Sequence, residues 1–190
     1  MNYAGAIDAA DPLLSSHMDK PKTYGFSHLR FISISPDAVS VDQFSQFQHQ
    51  VVLEFWLGCN RVEGLPASAE LDPFKFRRAL GFIQVLQPNE AGDGLFYRLY
   101  GTHLVGAVGG DFTGLWVSEI PLGIRALMHD QYIAACRLRR PIYSENDTKD
   151  EFSTTTWLCR LIMPMAGADG VIDRVLVASA PCLRPDTDPG

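Results

Sequence analysis

The stretch TWLCRLIMPMAGADGVIDRVLVASA, from Thr156 to Ala180, decides the fold. At its centre Ala166-Gly167-Ala168-Asp169-Gly170 is a strong hairpin turn signal between two apolar runs. In the first run Trp157, Cys159, Leu161 and Met163 point one way. Leu158 and Ile162 point the other way, with Arg160 between them. In the second run Val171, Val175 and Val177 oppose Ile172, Leu176 and Ala178. An antiparallel sheet with one wet face alternates cleanly between apolar and polar residues. This one does not, so it must be covered on both sides. Segments within 102–138 can cover one face. A helix over 41–59, or a second copy of the chain, must cover the other.

Upstream, a further strand is expected at about 141–149, and Pro141 stops the helix before it. That helix starts at Pro121 and lines one face with Ile124, Leu127, Met128, Tyr132, Ala135 and Leu138. Arg137, Arg139 and Arg140 fall in its last turn, where cations suit the helix dipole. Residues 101–118 are glycine-rich and read as short helical turns and loops. The runs 82–86 and 95–100 flank turn material at 88–94, which gives a second hairpin. Asp72-Pro73 opens a helix that carries Phe74, Phe76 and Leu80 and stops at Gly81. Over 41–59 the residues Val41, Phe44, Phe47, Val51, Phe55 and Cys59 step by three or four, and Val52 and Trp56 widen the stripe. Strands in two separate runs, joined by helices, give an antiparallel α+β sheet and not a βαβ one.

The expected organisation is a mobile tail and linker over 1–40, an amphipathic helix over 41–60, a domain over 61–183 and a short tail over 184–190. The apolar run Leu29 to Ile34 reads as either a docking strand or part of the linker. A chain of 190 residues suits one domain with extensions. Hydrophobic residues at 46% supply enough core without a metal or disulfide staple. The net charge of −6, with basic residues scattered, argues against a nucleic-acid partner. No apolar run is long enough to span a membrane and the N-terminus carries no secretory pattern, so the expected location is the cytoplasm. Cys59, Cys136, Cys159 and Cys182 stand far apart with no C-x-x-C. They read as four small buried hydrophobes in a reducing compartment, without zinc or disulfides.

Enzyme signatures are missing: no G-x-S-x-G, no H-E-x-x-H, no S-x-x-K and no phosphate-binding glycine loop. No cofactor is expected. His129 on the long helix and His103 at the start of the helical loops are the positions from which haem could be ligated, but His129 sits beside the apolar stripe and not within it. The Asn-Cys-Arg context of a photosensory flavin does not occur. Arg98 alternates with Phe96 and Tyr100. If that face is the inner one, Arg98 is buried and needs an anionic partner: an internal Asp or Glu, which is the preferred reading, or a ligand carboxylate or phosphate. If the face is outer, Arg98 is a solvated strand residue or lies under the 41–59 helix. An apolar cavity between helices and sheet would draw on Phe96, Tyr100, Leu104, Val108, Trp116, Leu127, Met128, Trp157 and Leu161. The alternative is a filled core.

Three motifs follow one another in order: Leu65-Pro66 … Leu71-Asp72-Pro73, then Tyr97-Arg98-Leu99-Tyr100-Gly101-Thr102, then Gly110-Asp111-Phe112-Thr113-Gly114. Over about 51–183 the chain resembles a family of bacterial PAS-domain proteins of the alphaproteobacterial type. The resemblance implies a PAS-like five-stranded antiparallel sheet with helices on one face, additional N-terminal helices and a hydrophobic cavity. It also implies that the Gly110–Gly114 turn, with Thr113, lies beside the ligand. The function it implies is a signal-sensing or regulatory module that binds a small hydrophobic or amphipathic ligand, a protein partner, or both, without catalysis. A protein-interaction adaptor with a filled core is the alternative, followed by a small-molecule enzyme or a haem sensor. The expected partners are an unidentified signalling protein and a second copy of the chain docked through the 41–59 helix.

Overall fold

Runs rich in valine, isoleucine and leucine with no helical period fold as strands, and tight turns between them set antiparallel pairing. The computed structural model describes residues 29–121, 123, 125–147 and 157–182. Residues 1–28 of the tail and linker expected over 1–40, and the tail expected over 184–190, lie outside the described residues. The strands of the main sheet are β1 (Leu29–Ser33), β4 (Ile83–Pro88), β5 (Leu95–Tyr100), β6 (Ile142–Asp147), β7 (Trp157–Ala166) and β8 (Ile172–Pro181). A small ribbon is made by β2 (Arg61–Val62) and β3 (Leu65–Pro66). The α-helices are α1 (Phe47–Gly58), α2 (Thr102–Val108) and α3 (Arg125–Leu138). The sheet runs β1-β6-β7-β8-β4-β5, with every neighbouring pair antiparallel.

The fold class is therefore the expected antiparallel α+β architecture, with six strands and not five. The added strand is the apolar run at Leu29, which pairs along β6 from Leu29↔Asn146 to Ser33↔Ile142. Both sheet faces are covered, as the Thr156–Ala180 stretch requires. One apolar cluster joins Cys159, Leu161, Met163, Met165, Leu176 and Ala178 to α1. The other joins Ile142, Ile162, Val175 and Val177 to α2 and α3.

The first cover is shorter than its periodicity suggests. Val41–Gln43 form a separate 3-10 turn, and the α-helix begins only at Phe47. Phe44 leaves the helical stripe and buries on its own against Tyr143. Val52, Leu53, Phe55 and Trp56 are buried against the sheet. The indole Nε1 of Trp56 donates to the Pro164 carbonyl at 3.0 Å. A proline is tolerated inside this central strand because β6 stops pairing at Ile142↔Ile162 and the next bridge on that side is Ala67↔Ala166, so residue 164 has no ladder partner there. The wide apolar face of 41–59, expected to hold a second copy, is thus spent within the chain; Phe47 alone of its large apolar residues stays exposed.

Three further expectations are corrected. The segment opened by Asp72-Pro73 is a 3-10 helix, Pro73–Phe82, with a non-helical Phe76 inside it. Its start is as expected, with the Asp72 carboxylate accepting from the Phe74 N–H at 2.9 Å. The long helix ends at Leu138, and Arg139 takes a left-handed φ of 53°. From there its guanidinium donates to the carbonyls of Gly170 and Glu63. Finally, Cys159 and Cys182 are joined by a disulfide, their Cα atoms 5.8 Å apart. The hairpin register brings Cys159 opposite Ala180, so residues 23 apart in sequence meet at its open end. Cys59 and Cys136 are free thiols, buried and half-buried.

One polar group is buried under α1 at a cost. His49 is 1% exposed, between the rings of Phe44 and Tyr143, and its Nε2 has no partner. Burial lowers its pKa to about 4, while the backbone of Ala178 and Cys159 pulls weakly the other way. The unfolded imidazole titrates near 6.5, so above that pH the ring is neutral in both states and adds nothing. As pH falls from 6.5 through 4 only the unfolded chain takes the proton, and about 3 kcal/mol of stability is lost. Denaturant unfolding at pH 7 and pH 4 should show this loss in the native chain and a clearly smaller one in His49→Gln. Equal losses in both would contradict it.

Candidate ligand site

The face of the sheet under α2 and α3 is built around an irregular edge. β5 pairs with β4 as Leu99↔Val85 and Tyr97↔Leu86, with a register shift at Arg98. A bulge of this kind puts two residues opposite one and re-aims the side chains around it. Tyr97 and Tyr100 therefore both point inward, with rings 5.3 Å apart, and Arg98 is turned out to solvent. The alternation that grouped Phe96, Arg98 and Tyr100 on one face does not survive the bulge. Arg98 lies over the ring of Phe96, and Phe96 packs on Trp116, which is 38% exposed. None of these three is inside.

The Gly110–Gly114 turn holds that bulge in place. The Tyr100 N–H donates to Thr113 Oγ1 at 3.0 Å. The Gly114 N–H donates to the Tyr97 carbonyl, and the Tyr97 N–H to the Leu115 carbonyl, both at 2.9 Å. Thr113 itself is exposed and acts on the strand backbone. The chain enters α2 through Gly101, where a Cβ would lie 2.4 Å from the Gly81 carbonyl oxygen, so only glycine fits. Gly109, at φ 74°, ends the helix.

Tyr100, Leu104, Leu127 and Met128 meet in the cluster between these helices and the sheet, and Val108 packs at its margin. Leu161 does not join them. It belongs to the α1 side, and Trp157 shares that side by strand alternation. Neither expected histidine faces the interior. His103 is exposed and stacks on Phe82, while His129 Nε2 contacts the Asp93 carbonyl at 2.8 Å. Among the described residues no group of His, Cys, Asp and Glu could hold a metal.

At the centre of this face stands Arg160, 1% exposed. It lies opposite Ser144 on β6 and Ser179 on β8. Its Nη1 donates to Asn146 Oδ1 at 2.9 Å and to Gln131 Oε1 at 3.2 Å. Ser144 Oγ donates to the same Gln131 oxygen. Beside it, the Tyr132 hydroxyl donates to Gln84 Oε1, and Gln84 Nε2 donates to Ser179. Among the described residues Nε and Nη2 of Arg160 and Nε2 of Gln131 are buried without a hydrogen-bond partner, and the Tyr97 hydroxyl lies beside that of Tyr132. No carboxylate among the described residues pairs with the guanidinium. Burial pushes the phenols of Tyr97, Tyr100 and Tyr132 up; the charge of Arg160 draws all three back.

An arginine in the middle of a strand with covered faces was the visible signal for this centre. Gln131, between Met128 and Tyr132 on the inner side of α3, and Ser144 and Asn146, alternating with Ile142, gave no signal of their own without the sheet register.

The arrangement is that of an α+β domain with an antiparallel sheet covered on both faces and a polar centre beneath α2 and α3. Residues 45–178 match the family model described as PAS domain, and the chain belongs to the PAS-domain family. No curated protein matches it. A solved structure described as "Structure of an RNA-binding Light-Oxygen-Voltage Receptor" aligns at 12% identity with a TM-score of 0.46, covering 92% of this chain and 45% of that one. The chain thus spans less than half the length of that receptor.

A guanidinium buried with an open edge weakens the fold that holds it. Replacing buried ionic groups by apolar ones of similar volume is neutral or stabilising by about 1–4 kcal/mol. Arg160→Met should therefore raise the unfolding midpoint of the protein stripped of small molecules, even though Asn146 Oδ1 loses its donor. A drop of about 3 kcal/mol or more would mean that the charge is already compensated within the chain.

Proposed function

We propose that this protein is a signal-sensing PAS module that takes a small molecule between α2, α3 and the sheet and performs no catalysis on it. The observation that carries this reading is the set of buried, unpartnered polar groups on Arg160 and Gln131. Such groups are rare in folded proteins and ask for an account, and a bound molecule is one. The absence of catalysis is supported by the chemistry of the centre. Around Arg160 stand amides, hydroxyls and phenols held in their neutral form by burial, and nothing there is poised to move a proton near neutrality.

Strand β7 supports a route for the signal. It carries Arg160 on one face and Cys159 and Leu161 on the other, against α1. A molecule that favours one position of Arg160 would shift the packing equilibrium of α1, and a signalling protein would read that shift. The adaptor alternative draws on exposed aromatic surface, namely Phe74, 79% exposed, and Phe47, edge-on to Phe82. With the apolar face of α1 buried, a homodimer would have to use that surface too. We propose a cytoplasmic location, where the Cys159–Cys182 bond would meet the cellular thiol pool. Among the described residues no helix is long and apolar enough to cross a membrane. With a net charge of −6, nucleic acid is not proposed as a partner.

Native mass spectrometry of the gently purified full chain is the test. The expected spectrum contains a species heavier than the polypeptide, and the extra mass leaves on denaturation and is absent from Arg160→Met. The bare polypeptide mass in every preparation would sink the reading.

A further inference from the structure

Around Arg160 the unmatched groups are donors. Gln131 Oε1 accepts from Ser144 and Arg160, Asn146 Oδ1 accepts from Arg160, and Gln84 Oε1 accepts from Tyr132. The Asn146 amide nitrogen is also satisfied, donating to the Asp147 carbonyl. What remains is the Nε and Nη2 of Arg160 and the Nε2 of Gln131, with the Tyr97 hydroxyl beside that of Tyr132. On a guanidinium, Nε–H and one Nη2–H form the planar edge that receives two oxygens side by side. That whole edge is free, because both internal acceptors are on Nη1.

Charge narrows the ligand further. The centre holds one fixed positive charge, and no carboxylate among the described residues opposes it. A neutral molecule would leave that charge buried and uncompensated. A dianion would bury a second, unmatched negative charge in its turn. One negative charge spread over two coplanar oxygens meets both conditions. The surroundings beyond the polar centre are the buried rings of Tyr97, Tyr100 and Tyr132, so the rest of the molecule faces aromatic surface.

We propose that the small molecule taken here is a monocarboxylate, its two oxygens on the Nε–Nη2 edge of Arg160 with the Gln131 amide as a further donor and an apolar body against the tyrosines. This rests on the sensing reading above and specifies its ligand class.

Calorimetric titration of the stripped full chain tests it with six probes: benzoate, octanoate, their neutral amides benzamide and octanamide, succinate, and inorganic phosphate. At least one monocarboxylate is expected to bind, roughly tenfold or more tightly than its amide, since a hydrogen-bonded charge is what separates the two. Arg160→Met should abolish that difference with the circular dichroism spectrum unchanged. Arg160→Lys keeps the charge and loses the planar fork; it should weaken the carboxylate and leave the amide as it was. An amide that binds as tightly as its carboxylate overturns the monocarboxylate assignment while the small-molecule reading stands. Preference for succinate or phosphate over both monocarboxylates overturns it as well. Binding of no probe overturns it too, and if Arg160→Met is then also no more stable than the native chain, the small-molecule reading falls with it.

Discussion

A guanidinium taken out of water and left without a counter-charge weakens a fold by several kcal/mol, and among the described residues no carboxylate pairs with the buried Arg160. The rest of the α3 side is arranged around it. Gln131 from the helix and Asn146 from β6 each offer it an oxygen, and Ser144 holds Gln131 in place. The arrangement satisfies one end of the guanidinium and leaves the other open. Partial satisfaction in a low-dielectric interior is less favourable than an apolar core. A binding site has a reason to keep such an arrangement that a purely structural core lacks.

The two faces of the sheet divide the work. The face under α2 and α3 holds the polar centre around Arg160; the face under α1 is mainly apolar, with Trp56 pinned to the Pro164 carbonyl, His49 buried neutral, and Gln48 and Glu145 buried beside it. Both faces are read through the same residues of β7, because successive side chains of a strand point in opposite directions. A shift of the β7 backbone at Arg160 would therefore also move Cys159 and Leu161. The disulfide from Cys159 to Cys182 ties the end of β8 to that same point on the α1 side.

Local pattern carried much of the fold. The hairpin at 166–170, the need for two covers and the presence of a long helix, expected from Pro121 and found over 125–138, are readable from spacing, because each rests on neighbours in the chain. What depends on distant partners was harder to see. Leu29–Ser33 becomes a strand only because β6, over a hundred residues later, has a free edge. Cys159 and Cys182 meet through hairpin register, and no short motif announces them. The site shows the same divide. Alternation in β5 left Arg98 either a buried cation in need of an anion or a solvated strand residue. The bulge opposite Leu86 turns it outward, which is the second, and the chemical reasoning of the first applies to Arg160. Tyr100, Leu104, Leu127 and Met128 do gather on the inner face, whereas Leu161 faces α1.

The central claim is that the Nε–Nη2 edge of Arg160 is not closed by the chain itself. A high-resolution crystal structure of the protein stripped of small molecules tests this directly. The account predicts a guanidinium held by Gln131 and Asn146 on Nη1, with water or a crystallisation anion on its other edge. A carboxylate side chain of the same chain, paired side-on with that edge, would contradict it.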